Sequence, residues 1–241
     1  LKAWNEHVDK ESAPSNQEVP SYVQVVGAVY KNSDPSDIAV TAAGGLVGEV
    51  IQVWRPRELN THETEWGFSC MSYEISGALG IKMANPDKEV ISFVGDGSYL
   101  LNNTDIYSSV ITNNKLIIIV CDNGGFAVIN RLQLFKGGNE YNNLLKSSNT
   151  PGLVDVDFAK HAESMGAKSE HVNSISDLEE AFKRAKKSDV TYVISIKTHA
   201  YQWLEGSAFW DSPTLEIPTT KENKEALKLY KEGKNKQRQG V

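Results

Sequence analysis

Residues 90–133 read VISFVGDGSYLLNNTDIYSSVITNNKLIIIVCDNGGFAVINRLQ, and two apolar runs in this stretch end in similar ways. Residues 90–94 run into the letters GDGS, and residues 116–120 run into CDNGG. Uninterrupted apolar runs of this length are typical of parallel strands that are buried on both faces. The stretch therefore predicts two buried strands, each followed by small residues, a carboxylate or amide, and accessible backbone.

The rest of the chain repeats this alternation of apolar strands and amphipathic helices. Strands are predicted at residues 38–42, 90–94, 115–121, 168–172 and 191–198, and helices from Ser21 and over residues 71–83, 105–112, 156–165, 176–187 and 221–231. Met71 and Met83 are expected on the apolar face of one helix, and Ile111 on that of another. Such alternation predicts an α/β fold of three layers, with a doubly wound, mostly parallel sheet between helices.

Two sequence signals mark where helices begin. Ser21 with Gln24, and Ser176 with Glu179, have the spacing of a capping box, in which each side chain accepts a backbone N–H of the other residue. Each pair therefore predicts a helix N-terminus.

The domain organisation follows from composition. Residues 1–20, which are polar and contain two prolines, are interpreted as a linker from upstream domains. Residues 21–200 are interpreted as one α/β domain, and residues 201–241 as an extension that includes a helix. The chain begins with Leu1 rather than Met, which favours a piece of a longer protein.

Charge and composition narrow the classes of partner. The formal net charge is −6, and the basic residues are spread along the chain, which disfavours a nucleic acid or an anionic membrane as partner. No run of eighteen apolar residues is present, so we expect no membrane span. The two cysteines are too few for a disulfide framework and favour the reducing cytoplasm.

The two strand ends together predict a metal-bridged anion site. Ligands of doubly wound sheets lie outside the carboxyl ends of the strands. Asp96 offers a carboxylate oxygen, Asn123 an amide oxygen and Gly125 a backbone carbonyl, a donor set that suits Mg²⁺. The glycines and Ser98 supply N–H and hydroxyl donors to an anion such as a diphosphate. The sequence contains no Walker-type motif and no G-x-G-x-x-G after a strand, so it does not favour a nucleotide as the ligand.

The letters GDGS at residues 95–98 and DN at residues 122–123, at this spacing, resemble the signature of thiamine diphosphate enzymes. The resemblance implies a thiamine diphosphate-binding fold over residues 21–200 and Mg²⁺ bound by Asp96, Asn123 and Gly125. The family pattern has an amide where this chain has Asp122, a departure outside the metal ligands. The resemblance further implies a set of cofactor-binding residues: Gly44, Gly45, Met71, Gly95, Asp96, Gly97, Ser98, Asn123, Gly125, Phe126 and Ala127. Met71 matches the apolar residue that holds the cofactor bent.

Several longer segments, among them HETEWGFSCMSYEISGALGIKMA, DNGGFAVINRLQ and FWDSPTLEIP, resemble one branch of that family, the trihydroxycyclohexanedione hydrolases of myo-inositol breakdown. The resemblance implies hydrolytic opening of a cyclic 1,2-diketone to 5-deoxy-glucuronate. It also implies that the activating glutamate lies on an upstream pyrimidine-binding domain of the same or a second subunit, in a homodimer or homotetramer. This chain alone is expected to be nearly inactive.

Two residues of this chain are candidates for proton transfer. His62 and Glu65 are expected in the loop before the helix that starts at Met71, and hence near the strand ends. A histidine titrates near neutrality, which suits a general acid or base.

Two other classes of function are kept as alternatives. One is the same domain of another thiamine diphosphate-dependent enzyme, a decarboxylase or an acetolactate synthase-like carboligase. The other is a non-catalytic module that binds Mg²⁺ and a diphosphate.

Overall fold

In the computed structural model, residues 1–15, 19–149, 155–204 and 214–237 are described. The chain divides into two units, one of Leu1–Gly125 with Val154–Leu204, the other of Phe126–Leu153 with Glu205–Val241. The predicted linker and extension lie partly outside the described residues, at 16–18, 205–213 and 238–241.

The first unit contains a six-stranded sheet in which every neighbouring pair of strands is parallel. The strands are β1 Ile38–Thr41, β2 His62–Thr64, β3 Val90–Gly95, β4 Ile117–Asp122, β5 Lys168–Val172 and β6 Tyr192–Lys197. Their order across the sheet is β2-β1-β3-β4-β6-β5. The predicted parallel α/β architecture is confirmed, and the sheet is wholly rather than mostly parallel.

Helices cover both faces of this sheet. The helices of the first unit are α1 Lys2–Glu11, α2 Tyr22–Asn32, α3 Leu46–Val53, α4 Tyr73–Ala84, α5 Asp96–Leu101, α6 Asp105–Ile111, α8 Phe158–Ser164 and α9 Ile175–Lys186, with α7 Ala127–Phe135 in the second unit. Alternate residues of each strand point to opposite faces. Ile117 and Ile119 of β4 pack in one core with α2, α3 and α9, while Ile118 and Val120 pack in another with α4, α6 and α8. Three layers result.

The chain reverses its direction of travel across the sheet between β1 and β3. From β1 it moves outward to the edge strand β2 and then returns to place β3 on the other side of β1. At such a switch point the connections leave in opposite directions and open a crevice at the carboxyl ends. The residues after β1 and after β3 are therefore the first place to search for a ligand site.

Some predicted boundaries were wrong. Residues 1–20, interpreted as a linker, contain α1, and its Val8 is completely buried in the core. The short edge strand β2 lies where a loop was expected. The capping box at Ser21 is confirmed, but the second cap is Ser174, whose hydroxyl accepts the N–H of Asp177, and Ser176 lies inside the helix.

Three apolar residues do not lie where helical periodicity placed them. Met71 precedes α4 by two residues instead of belonging to it, and Met83 is 59% exposed. Ile111, expected inward, is 62% exposed at the last position of α6. Helix α4 thus begins later than the apolar pattern predicts, and the apolar stripe does not face inward at the last residues of either helix.

The second unit contains α7, a 3₁₀ turn at Leu145–Ser147 and α10 at Lys221–Lys236. The side-chain amide of Asn223 donates to the carbonyls of Lys136 and Gly137 at 3.3 and 2.7 Å. Gly137 has φ +78°, and a Cβ there would lie 2.6 Å from the backbone of Glu222. The loop after α7 thus requires glycine where it meets α10.

None of the helices in the described part of the chain is both long enough and apolar enough to cross a membrane.

Candidate functional site

The carboxyl ends of β3 and β4 meet directly. The register of the two strands sets Gly95 opposite Cys121, so Asp96 and Asp122 follow at the same level. The backbone N–H of Gly125 donates to Asp96 Oδ2 at 2.6 Å. The two turns that the sequence marked as one site are therefore in hydrogen-bond contact.

Asp96 is a buried carboxyl group in a negative environment. Only 5% of the residue is exposed, and it begins α5 directly after β3. Burial, and after it the charge of Asp122, raises the pKa of Asp96 to about 7. The hydrogen bonds from the N–H groups of Gly125 and Gly97 act in the opposite direction and lower this pKa. A bound cation would favour the charged form of this carboxyl group.

Asn123 holds an amide oxygen without a partner. Its Nδ2 donates to the hydroxyl of Tyr22, while its Oδ1 is buried and accepts no hydrogen bond from any described residue. Buried polar atoms are nearly always paired, so an orphaned oxygen points to a ligand. Burial raises the pKa of Tyr22, so its hydroxyl is a neutral phenol.

The donor chemistry at these strand ends suits magnesium. A carboxylate from Asp96, an amide oxygen from Asn123 and the backbone of Gly125 are oxygen ligands of the kind that Mg²⁺ prefers. Across the described ranges, no three His, Cys, Asp or Glu side chains cluster as a metal site. A Cβ added at Gly95 or at Gly124 would meet no heavy atom within 4 Å, so space is open beside both turns.

Asp122, the departure from the family pattern, has partners of its own. Its Oδ1 accepts the N–H of Gly124 at 2.9 Å, and its Oδ2 forms an ion pair with Lys197 at 2.6 Å. Lys197 ends β6 and also pairs with Asp155 at 2.7 Å. The carboxylate of Asp122 thus has a cationic partner in Lys197 and shapes the Gly124 turn.

Glu74 joins three loops and was missed by the sequence reasoning. This residue of α4 is 1% exposed. Its carboxylate accepts the N–H of Ala43 at 3.2 Å and the hydroxyl of Ser98 at 2.8 Å. Ser98 Oγ in turn accepts the N–H of Ser72 at 2.6 Å. The signal was present, since Glu74 stands four residues before Ala78 on the apolar face of a predicted helix.

These contacts engage the Ser98 hydroxyl within the protein. It donates to Glu74, and its oxygen accepts the N–H of Ser72. Burial raises the pKa of Glu74 despite the hydrogen bonds from Ser98 and Ala43. The hydroxyl therefore ties loops together, and its expected contact with an anion stays a prediction.

The predicted Gly44-Gly45 turn follows β1 at the switch point. Gly44 is exposed with φ +80°, a conformation that glycine adopts without strain, and Gly45 caps α3. Because Glu74 holds Ala43, the turn has a fixed position relative to Ser98. Gly97 lies within the first turn of α5.

Phe126 and Ala127 belong to the second unit. The N–H of Phe126 donates to the carbonyl of Asn143 at 2.7 Å, and Ala127 is the first residue of α7. The N–H of Phe126 is therefore already bonded within its own unit.

His62 does not lie in the loop where it was expected. It begins β2 and pairs in register with Ala39, which in turn pairs with Ile91 of β3. Ile91 precedes Asp96 by five residues, so His62 lies about 16 Å back from the carboxyl edge at strand rise. Its Nε2 contacts Thr64 Oγ1 at 3.1 Å, and burial lowers the pKa of His62. This position does not suit proton transfer at the strand ends.

Glu65 organises the segment between β2 and α4. Its carboxylate oxygens accept the N–H groups of Phe68 and Cys70 at 2.9 and 2.7 Å, and these bonds lower the pKa of Glu65. Met71 is 36% exposed beside Ser72, whose N–H binds Ser98. Met71 is thus next to the site, whereas Glu65 is an ionised acceptor that folds a loop.

Comparison with known proteins identifies the family. The family described as "Thiamine pyrophosphate enzyme, C-terminal TPP binding domain" matches residues 42–196, a span that includes both strand ends. The chain belongs to the thiamine pyrophosphate enzymes. Thiamine pyrophosphate, also called thiamine diphosphate, is the cofactor of this domain.

Two curated relatives carry the same name. A "3D-(3,5/4)-trihydroxycyclohexane-1,2-dione hydrolase" of Bacillus licheniformis is 36% identical over 205 residues, 85% of this chain and 32% of the relative. A protein of the same name from Lacticaseibacillus casei is 37% identical over 211 residues, 87% of this chain and 32% of the relative. This thiamine pyrophosphate domain therefore spans about a third of the length of the curated relatives it matches.

Solved structures share the fold. A thiamine diphosphate-dependent 4-hydroxybenzoylformate decarboxylase of Rhodococcus jostii RHA1 superposes with a TM-score of 0.66 at 22% identity, over 78% of this chain and 34% of that chain. Benzoylformate decarboxylase of Polynucleobacter necessarius superposes with a TM-score of 0.62 at 21% identity, over 73% and 32%. At these identities the likeness concerns architecture alone.

Proposed function

We propose that this chain binds thiamine diphosphate through a Mg²⁺ ion held by Asp96, Asn123 and Gly125. The observation that carries the proposal is the hydrogen bond from Gly125 to Asp96, with the partnerless Asn123 Oδ1 on the same turn. Together they assemble a carboxylate, an amide oxygen and glycine backbone where two parallel strands end. A divalent cation there would offset both the negative charge of a diphosphate and that of the buried carboxylate.

The anion would be held by backbone rather than by basic side chains. We assign its contacts to the turns at Gly44-Gly45 and Gly95-Asp96-Gly97, all within the first unit. The open space beside Gly95 and Gly124 supports this assignment. Met71, exposed beside Ser72, is proposed to contact the body of the cofactor.

We further propose that the intact enzyme hydrolyses a cyclic 1,2-diketone of the trihydroxycyclohexane-1,2-dione class, in myo-inositol breakdown. Two of the relatives that carry this name are 36% and 37% identical to the chain over most of its length. Hydrolysis breaks the bond between the two carbonyl carbons and consumes one water, leaving one carbon as a carboxylic acid and the other as an aldehyde. Other domains or a second subunit would complete the site, in a homodimer or homotetramer.

Thiamine diphosphate, when bound, supplies an electron sink for the pair released from the broken carbon–carbon bond. The residues of this chain contribute binding and orientation. Asp96, Asn123 and Gly125 would fix the metal, and Glu74 fixes the turns around it by holding Ala43 and Ser98. Held in place in this way, the turns need not reorganise when a ligand binds.

The free thiols of Cys70 and Cys121 support the reducing cytoplasm as the proposed location of the protein.

Calorimetric titration of residues 1–241 with Mg²⁺ and thiamine diphosphate tests the cofactor proposal. Asp96→Ala is expected to weaken metal-dependent binding by at least about a hundredfold, because a charged ligand is lost. Asp189→Ala is the matched control, since that carboxylate is exposed and pairs only with Lys168 at 3.0 Å among the described residues. Unchanged affinity in Asp96→Ala would remove the metal site from this position.

The reaction is tested on the intact enzyme that contains this chain. The rate of ring opening of trihydroxycyclohexane-1,2-dione, measured from the acid that is released, is expected to exceed the rate of decarboxylation of benzoylformate. Faster decarboxylation would instead assign the chain to the decarboxylases whose fold it shares.

A further inference from the structure

Tyr22 contacts the candidate metal ligand Asn123 through its hydroxyl. Tyr22 is the first residue of α2, 101 positions away in the sequence, and its hydroxyl accepts the Nδ2–H of Asn123. The contact uses only the nitrogen end of the amide. The oxygen end, Oδ1, is left buried without a partner among the described residues.

The orientation of this amide decides whether Asn123 is a ligand at all. The two ends of a carboxamide have nearly the same shape, but only the oxygen can bind a cation, while the NH₂ group is purely a donor. We propose that Tyr22 is a positioning residue that holds the NH₂ end of Asn123 and thereby presents Oδ1 to the metal. This inference rests on the proposed Mg²⁺ site.

The surroundings of Tyr22 hold its hydroxyl at a fixed point. The residue is 8% exposed and packs in the core between α2, α3 and α9. Ser21, just before it, forms a reciprocal capping box with Gln24, with bonds of 3.0 and 3.4 Å. The carbonyl of Pro20 accepts the N–H of His199 at 2.9 Å, which ties the start of α2 to the segment after β6. The N-terminus of α2 is thus anchored on both sides.

The first test is Tyr22→Phe in the full chain, which keeps the ring and removes the acceptor. Mg²⁺ affinity, measured by calorimetry at saturating thiamine diphosphate, is expected to fall about tenfold, the size of one lost buried hydrogen bond. Tyr30→Phe is the matched control, because Tyr30 lies on the same helix and donates to the carbonyl of Arg55 at 3.0 Å. Thermal melts of both variants report any general loss of stability.

A double-mutant cycle with Asn123→Asp separates orientation from packing. A carboxylate has two equivalent oxygens, so its affinity for a cation does not depend on which end faces the metal. In that background Tyr22→Phe is expected to lower Mg²⁺ affinity by less than about twofold, against about tenfold beside Asn123.

The outcomes are distinguishable. Equal losses in both backgrounds, or equal affinities of Tyr22→Phe and Tyr30→Phe, would overturn the positioning role while leaving the metal site in place. A wild-type chain that binds no Mg²⁺ with thiamine diphosphate would overturn the proposed function, and the role of Tyr22 with it.

Discussion

The carboxyl ends of β1, β3 and β4 and the segment of residues 65–71 differ in how they are held. At the strand ends, Asp96 and Glu74 are 5% and 1% exposed, and their bonds reach loops far away in the sequence. In the segment, Trp66 and Phe68 are 63% and 91% exposed, and the carboxylate of Glu65 accepts the N–H groups of Phe68 and Cys70, three and five residues away. The difference teaches that the sheet fixes the candidate site at the strand ends, whereas the segment before α4 is held by local bonds.

Breaking the strand-end network at Glu74 is expected to have the largest effect. Glu74→Ala leaves the buried N–H of Ala43 and the hydroxyl of Ser98 without their acceptor. Unfolding monitored in urea should show a loss of about 2–3 kcal/mol in the free energy of unfolding. Thiamine diphosphate affinity should fall with it, since Ala43 and Ser98 flank the proposed anion contacts. A loss of stability with full affinity would contradict the positioning of the turns by Glu74.

Comparison of Glu74→Gln with the wild type shows how the ionisation of Glu74 changes the free energy of unfolding with pH. Because burial raises the pKa of Glu74 above its ordinary value of 4.5, the folded wild type binds a proton more tightly than the unfolded chain does. Wild-type stability therefore falls relative to Glu74→Gln as the pH rises above about 4.5. Urea unfolding of both proteins between about pH 4 and pH 7 measures the difference. A difference that does not change with pH would show that Glu74 titrates normally.

Removing the countercharge of Asp122 is expected to have the next largest effect. Lys197→Met leaves a carboxylate that is 4% exposed without its ion pair. Since Lys197 itself is 44% exposed, water screens part of the change, and the expected loss is about 1–2 kcal/mol. Lys168→Met is the control, because its partner Asp189 is 93% exposed. Equal stabilities of the two variants would show that Asp122 is adequately solvated.

Ser72→Gly is expected to give a small gain. Ser72 has φ +78°, a left-handed conformation that strains a residue with a Cβ, at the start of α4. Glycine adopts it freely, so the free energy of unfolding should rise by about 0.5–1 kcal/mol. The N–H that binds Ser98 is retained. Thermal unfolding of Ser72→Gly beside Ser72→Ala measures the gain, and a higher melting temperature for the alanine variant would argue against strain.

Glu65→Ala is expected to change the segment and leave the fold alone. The N–H groups of Phe68 and Cys70 lose their acceptor, so their hydrogen exchange should accelerate while amides of β3 and β4 exchange as before. The melting temperature should not change, because the carboxylate is exposed. Faster exchange in β3 would mean that the segment and the sheet are coupled after all.

Much of the fold was readable because its inner strands are continuous apolar runs. The runs at 90–94 and 116–120 became neighbouring parallel strands. The strand predicted at 168–172 was observed with the same bounds, although most of its residues are polar. The edge strand β2 was not readable, since its three residues His62, Glu63 and Thr64 are polar and only one neighbour is available for pairing. Helix α1 was hidden for a related reason, because Val8 is the single buried residue of its polar sequence.

The site was predictable only in part. Asp96 and Gly125 were placed together because parallel strands end at one edge of a sheet. Glu74 and Tyr22 were missed because each acts across the fold; the position of Glu74 on an apolar helix face indicates burial, but neither sequence indicates which loop the side chain contacts. His62 was wrongly expected in a loop for a similar reason, since its position along the strand direction depends on the register with Ala39.

Asp96 and Asn123 approach each other only when β3 and β4 pair, so a ligand held by both has affinity for the native chain and none for the denatured one. Ligand binding would then stabilise the native chain, raising the free energy of unfolding by about 1.4 kcal/mol for each tenfold rise in ligand concentration above the dissociation constant. A melting curve recorded over a dilution series of magnesium and cofactor would thus report how tightly the two strand ends are bridged.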